Sequence, residues 1–513
     1  MKNHKSTHQT NKNIVNRILI AVTLLSNLRW YDITAAKTLM TKVYGDSNIL
    51  MRIIKLLQWT IPHLFNSIPN AITLVQFSDN LSQLPYWLSS KNPLENHPWN
   101  RDVQAQIPEK VEVVVIGAGF TGAASAYHWS KQRGGSMAVL EMNEACSGAS
   151  GRNAGIVVMG RYFATVKNTV FTHLQNARKD LNYDQQDKLS NKFASIYVQS
   201  AYKNADMIEK TILDENIDCE YLRNGWIQWK HSNSKKSLDY SVKLGNDFGF
   251  NDWTKIEPEY AKEISGIRLE SPAGFSQRAA TWHPAKWVWG LLEIALKNNN
   301  VNLYTHTKVV KIEDIGTHYL VHTNRGKIKT QFVINATESY TTLLHPHLKG
   351  LINAAQSQAA YAKGGPKSMK PDIGLMKSEA FFVRRGNGVL FGSDETPVSY
   401  QNAGRNRPSR FITKYVIGES GNSFEPSSME VTNEWSGTVG YTDDEFPVIG
   451  LLDNKRQYII GGQVGSGSGV HFNAARHVVQ QILGLDGPND YPEEYFSPKR
   501  ILDPKNHSWP SVK

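Results

Sequence analysis

The stretch VEVVVIGAGFTGAASAYHWSKQRGGSMAVLEMNEACSGASGRNAG, residues 111–155, decides the fold. It opens with an unbroken apolar run at 113–116, followed at once by Gly117, Gly119 and Gly122 in a G-x-G-x-x-G spacing. Small residues of helical composition come next, and a second apolar run at 137–140 ends on Glu141. Strand, glycine turn, helix and acid-terminated strand form the opening βαβ unit of a dinucleotide-binding fold. Gly117 permits the tight turn, Gly119 lets a pyrophosphate approach the backbone, and Gly122 lets helix and strand pack closely. The start of the helix, including Phe120 and Thr121, offers unpaired N–H groups and a partial positive charge to the phosphates. Glu141 is placed to accept hydrogen bonds from a ribose. On this reading an alanine at Gly119 weakens dinucleotide binding sharply while leaving the fold soluble, and one at Gly122 is milder.

Working outward, ACSGASGRNAG at 145–155 crowds glycines around Ser150, Gly151, Arg152 and Asn153. Such a loop brings backbone close to something flat or anionic. Here the sequence resembles the superfamily of FAD-dependent D-amino-acid oxidases and glycine oxidases. The nearest resemblance is to the gamma-glutamylputrescine oxidase-like branch, in which a G-A-S-G-R-N-G-G-like loop follows the ribose acid. This chain has Ala154 in place of one glycine. The resemblance implies an FAD cofactor, with this loop under the pyrophosphate and along the isoalloxazine.

Further motifs recur in the family's order. His283-Pro284 opens a helix, Pro284 suiting a first helical turn; the expectation for His283 is a cap, not a base, and His306 reads as structural. The resemblance places Val309 against the adenine and the Ala336-Thr337 pair over the FAD, with Glu338 where the family has a small or amide residue. The glycine loop before residue 473 matches the family at Gly467, Gly469 and Val470, and has Ser468 where a His is usual. Such a loop, feeding a helix N-terminus, suits the partial negative charge of a reduced flavin. The family also uses a strand Arg to pair a substrate carboxylate, which a planar guanidinium matches bidentately. Arg384 and Arg385 are the candidates; alternation along a strand allows only one to face the flavin, and Arg384 is the favoured choice.

Bulk properties agree. A chain of 513 residues holds two or three domain-sized units, and 40% apolar with 20% charged residues is a globular composition. Two cysteines, Cys146 and Cys219, imply no disulfide framework. The formal charge is +11, but residues 1–75 hold nine Lys or Arg against Asp32 and Asp46, so +7 of it lies there. The remainder is near neutral, no metal-ligand spacing occurs, and nucleic acid is excluded as a partner. Residues 1–13 are polar enough for disorder. The apolar run at 18–28 is shorter than the roughly 20 residues of a membrane span. Residues 49–61 place Ile49, Ile53, Leu57 and Ile61 at helical spacing, with Arg52 and Lys55 off that stripe. A membrane-surface helix and an extension lying on the protein's own body both fit; the second is the expectation.

The expected fold is α/β (α+β): a discontinuous Rossmann-like FAD-binding domain (111–200, 270–348, 431–485) and an antiparallel-sheet substrate domain (201–269, 349–430). A basic extension (1–77), a lead-in (78–110) whose Tyr86 and Trp87 pack on the body, and a C-terminal tail (486–513) complete it. The expected function is oxidation of a C–N bond in a small amine or amino acid, by hydride transfer to flavin N5 and hydrolysis of the imine, with oxygen or another acceptor reoxidising the flavin. The alternative is a flavin-bound assembly or docking factor with little turnover. The expected location is cytoplasmic, with organellar or peripheral-membrane placement through the N-terminal segment as the alternative.

Overall fold

The computed structural model describes residues 14–15, 17–19, 21–22, 25–26, 47–62, 64–65, 75–97, 106–158, 163–229, 235–371, 373–377, 380–397, 403–421, 423, 429–452 and 455–512. Residues 1–13 lie outside them, and the run at 18–28 falls only partly within. Among the described residues no helix is long and apolar enough to cross a membrane.

The apolar run of the opening motif becomes the strand Lys110–Ile116, with parallel neighbours on both sides: Met137–Leu140 and Gly326–Asn335. Val301–Tyr304 and Gln457–Gly461 extend the parallel array, and an antiparallel meander of Val309–Asp314 and Tyr319–Thr323 joins Gly326–Asn335. A parallel strand covered on both faces reads as continuously apolar. Val113 and Val115 join the core beneath the helices Phe120–Lys131, Pro284–Leu296 and His471–Leu483. Val114 and Ile116 face the other way, into a core with Tyr319, Val321 and Ile328.

The second sheet has nine strands, in the order Val75–Ser82, Met429–Tyr441, Asn353–Lys363, Gly388–Pro397, Ala380–Arg385, Gly374–Lys377, Trp226–Trp229, Ala273–Ser276 and Trp253–Ile256. Its pairings are antiparallel except at Val75–Ser82 with Met429–Tyr441 and at Trp226–Trp229 with Gly374–Lys377. The sheet is therefore largely antiparallel, as expected, but its membership differs from the boundaries read in the sequence. Val75–Ser82, Ala273–Ser276 and Met429–Tyr441 all belong to it. A strand's character is local, whereas its sheet is chosen by a partner hundreds of residues away. The helix Tyr183–Glu215 likewise runs unbroken across the expected boundary at 200, from an Asn182/Gln185 capping box to Asn216 in the left-handed region.

Two terminal segments also differ from expectation. In 486–513, Tyr491, Tyr495, Phe496 and Arg500 are buried. Phe193 of the long helix meets the rings of Phe446, Tyr495 and Phe496. Arg500 forms a fully buried bidentate pair with Asp444, Nε to Oδ2 at 2.6 Å and Nη2 to Oδ1 at 3.0 Å. The segment is part of the core. At the other end, residues 49–62 form the expected helix, Ile49–Pro62. Its stripe of Ile49, Ile53, Leu57 and Ile61 is exposed, not buried on the body. Arg52 and Lys55 fold back onto Ser47, through its carbonyl and hydroxyl respectively.

Candidate functional site

A cavity of about 1200 Å³ runs between the two sheets. One wall is the opening motif. Gly117, Gly119, Phe120 and Thr121 line it at the start of the helix Phe120–Lys131. Gly117 has φ +105°, a conformation that favours glycine, and a Cβ there would stand 2.7 Å from the Ala336 carbonyl oxygen. Gly122 lies behind the wall, packed on Gly117. Ser150 Oγ accepts the Phe120 N–H at 2.8 Å, so its hydroxyl sits at the helix N-terminus.

Glu141 ends its strand in the cavity wall, where an acid is needed. Its Oε2 accepts the Ala118 N–H and its Oε1 the Asn143 N–H, both at 2.9 Å. Burial raises its pKa against these stabilising N–H groups.

The small-residue loop is fastened from both sides. Arg152 donates from Nε to Ser147 O at 2.8 Å and from Nη1 to Ser436 O at 2.9 Å, while Trp435 Nε1 donates to Arg152 O. This guanidinium therefore ties the loop to the nine-stranded sheet. The Asn153 side chain bridges Ser150 O and the Gly155 N–H. The Asn153 carbonyl accepts the indole N–H of Trp87 at 2.8 Å, and Tyr86 stacks on Tyr361. The expected packing of the lead-in on the body is thus present. Ser150, Arg152 and Asn153 line the cavity; Gly151 lies beneath, against Leu88.

Val309, Ala336, Thr337 and Glu338 continue the wall at one end; Gly467 and Ser468 do so at the other. Gly469 and Val470 stand behind Ser468, where a Cβ on Gly469 would meet Val158 O at 2.8 Å. The helix His471–Leu483 is less open to a ligand than expected. Asn204 Oδ1, on the long helix, accepts the N–H groups of Phe472 and Asn473 at 3.0 and 3.1 Å. Asn204 Nδ2 also donates to Ser468 O at 2.8 Å, which fixes the glycine loop from below.

His283 is a cap, as expected. Its Nδ1 accepts the Lys286 N–H, its Nε2 meets Ser90 Oγ, and burial pushes its pKa down to about 4. His306 pairs with Glu144 and does not line the cavity. The carboxylate candidates are a correction: neither Arg384 nor Arg385 lines the cavity. Alternation from Phe381, which does, turns Arg384 to the opposite face. There its Nη1 donates to the carbonyls of Pro366, Lys367 and Met369. Arg385 shares the face of Phe381 but lies buried beyond it, 5.7 Å from the Trp87 ring and 3.9 Å from a Glu220 carboxylate oxygen.

The sequence reading missed three contributions. Gln463 lines the cavity and donates from Nε2 to Thr121 Oγ1 at 2.9 Å, tying the terminal loop to the opening motif. His471 is fully buried, stacked on Phe120, with Nδ1 on Gly467 O and Nε2 accepting from Trp287 Nε1. Burial holds that imidazole neutral, with its pKa near 3. The third is the far wall, a row running across three strands. Gln228 pairs with Met376, and Met376 with Phe381. All three line the cavity, as do Trp226, Ser357, Ile156 and Val158. The pattern WIQW at 226–229, with Trp226 and Gln228 on one face, was the available signal.

The family model for FAD dependent oxidoreductases matches residues 112–481, more than half of the chain. No curated protein matches the sequence. Solved structures share the fold. Glycine oxidase from Geobacillus kaustophilus superposes with a TM-score of 0.61 at 16% identity, covering 77% of this chain and 99% of its own. L-proline dehydrogenase from P. horikoshii gives 0.60 at 20% identity over 77% and 99%. L-amino acid deaminase from Proteus vulgaris, lacking its specific insertion sequence, gives 0.59 at 18% over 79% and 97%.

The residues present fit FAD. The cavity is continuous from Val309 to Ser468, and at Gly117 and Gly119 a Cβ would fall within 2.8 Å of other atoms. Glu141 would hold the ribose, Gly119 to Thr121 with Ser150 the pyrophosphate, and Asn153 with Ser468 the ring system.

Proposed function

The chain belongs to the FAD dependent oxidoreductase family, and from that premise we propose that it oxidises a C–N bond of an amine or amino acid. The observation that carries this is the cross-strand row of Gln228, Met376 and Phe381, set with Trp226 in the same cavity as the dinucleotide wall. When bound, FAD supplies the two-electron acceptor.

The chain's own residues bind and orient. Met376, Phe381, Ile156 and Val158 present an apolar surface to the substrate, which disfavours a charged ammonium and favours the neutral amine. The Trp226 indole N–H is buried and, among the described residues, has no hydrogen-bond partner. Ser468 Oγ takes the Val158 N–H at 3.3 Å, which leaves its proton directed elsewhere in the wall. The substrate gives up a hydride from its α-carbon and a proton from its nitrogen; water then hydrolyses the imine to a carbonyl compound and an amine.

The test is anaerobic mixing of the purified holoprotein with a panel of amines and amino acids, followed by flavin absorbance. Bleaching by one class, with turnover restored by oxygen or a dye acceptor, is the expected result. Failure of every member, in protein whose flavin dithionite still reduces, would overturn the reading.

A further inference from the structure

The turn after the strand Gly326–Asn335 carries a glutamate where the resembling family has a small or amide residue. Glu338 has φ +48°, a conformation that glycine and asparagine adopt more readily. Its side chain is turned into the cavity wall, between two backbone N–H groups. Oε1 accepts the N–H of Gly440 at 3.1 Å and of Gln463 at 3.2 Å, and Oε2 lies 3.4 Å from the same Gln463 nitrogen. Gly440 belongs to the nine-stranded sheet, Gln463 to the terminal glycine loop, and Glu338 to the dinucleotide sheet. One carboxyl thus joins three separate returns of the chain at the cavity wall. A glycine makes room for it: a Cβ on Gly440 would stand 2.8 Å from Oε1.

We propose that Glu338 is a positioning residue of the FAD site whose proton sets flavin affinity. In either state it accepts the N–H groups that join the strand Met429–Tyr441 to the glycine loop, and protonated it does so without adding charge to the wall. Ionised, it places a negative charge in the wall that receives the pyrophosphate. The inference rests on FAD occupying this cavity.

The surroundings of the carboxyl support this. The elements packed on its turn carry Tyr441 on Met429–Tyr441, Tyr458 on Gln457–Gly461, and Tyr361 and Lys363 at the far end of Asn353–Lys363. Tyr340 stands on the turn itself, and Arg152 and Glu445 in the adjoining wall. Burial raises its pKa to about 7, offset in part by the N–H groups of Gln463, Gly440 and Gly462. With burial outweighing those N–H groups, this carboxyl changes charge near neutrality. A dianionic pyrophosphate in the same cavity raises its proton affinity further, so proton and flavin bind together.

The experiment compares full-length wild type, Glu338→Gln and Glu338→Ala. Each holoprotein is diluted in series between pH 6 and 8, and released FAD is read from the recovery of its fluorescence. The wild-type Kd should rise with pH, by up to roughly tenfold per unit once the carboxyl ionises. Glu338→Gln, which keeps an acceptor oxygen but cannot ionise, should match wild type at pH 6 and stay flat. Glu338→Ala should bind weakly at every pH. A wild-type Kd that is flat, or a Glu338→Gln slope equal to wild type, overturns the proposal; that comparison decides it even where Glu338→Ala does not fold. Wild type that holds no FAD at pH 6 instead overturns the cofactor placement beneath it.

Discussion

A Cβ on Gly122 would stand 1.8 Å from the carbonyl oxygen of Gly117, backbone against backbone. At Gly119 the nearest atom is Ser150 Oγ at 2.8 Å, the end of a short side chain that can turn away. For stability of the fold the order is therefore the opposite of the order expected for flavin binding. Gly122→Ala should be the more damaging change, at or above the ~1–3 kcal/mol typical of overpacking. Gly119→Ala should fold normally and lose flavin affinity. Urea unfolding of both variants, with FAD fluorescence alongside, checks the order; equal stability would mean that the helix shifts at little cost.

The opening motif was legible because everything it needs is local. Strand, glycines, helix and Glu141 lie within residues 110–141, and each glycine answers a steric demand of its own turn. The small-residue loop was legible for the same reason. What escaped was pairing across the chain. Arg384 looked suited to a carboxylate, yet three carbonyls from residues 366–369 occupy it. Gln463 and His471 looked like ordinary polar residues because their partners, Thr121 and Trp287, come from elsewhere in the chain. Glu338 was recognisable only as a departure; the two N–H groups that make sense of it lie about a hundred residues downstream.

Arg500 and Asp444 test how far the C-terminal segment contributes. Burial alone would raise the Asp444 pKa, but the Arg500 guanidinium holds it below the usual value. Arg500→Met leaves an uncompensated buried carboxylate and should cost about 3–5 kcal/mol. A depressed folded pKa stabilises at pH above the ordinary aspartate value of about 3.9 and loses that contribution as pH falls through the folded pKa. The variant should therefore lose most at neutral pH and least in strong acid. Chemical denaturation at pH 7 and pH 3 measures both; an equal deficit at the two would rule out the charge as its source.

The Glu338 carboxyl makes the opposite contribution. Its folded pKa, near 7, lies above its ordinary value of 4.5. No penalty exists below the ordinary value, and it grows until pH passes the folded one, to an order of about 3 kcal/mol. Flavin-free wild type should thus lose stability relative to Glu338→Gln between pH 5 and 8. Parallel melting curves across that range would contradict it.

Asn204 caps the helix His471–Leu483 from another helix and holds the Ser468 carbonyl. Asn204→Ala leaves buried polar groups unsatisfied and should cost about 1–3 kcal/mol. Because Ser468 loses its support, flavin should also become more exposed to quenching by iodide. Unchanged quenching would show that Ser468 is held by other contacts.

Phe381 can lie flat on its sheet because residue 392 is glycine; a Cβ there would come within 1.9 Å of the ring. Gly392→Ala should push the ring into the cavity and raise KM for the reducing amine at least several-fold, while FAD content stays at wild type. Phe381→Ala should enlarge the site and admit bulkier amines. Unaltered kinetics in both would place the substrate elsewhere.

The pairing of Val75 with Met429 sets an order of events during synthesis. Val75–Ser82 leaves the ribosome first, and its partner strand follows some 350 residues later. At ~5–20 residues per second that separation lasts on the order of 20–70 s. Throughout it the border of the large sheet has no mate, and an unmated border invites pairing with other chains. Nascent chains stalled before residue 429 should be the species that aggregates or recruits a chaperone, and release beyond Tyr441 should end that vulnerability.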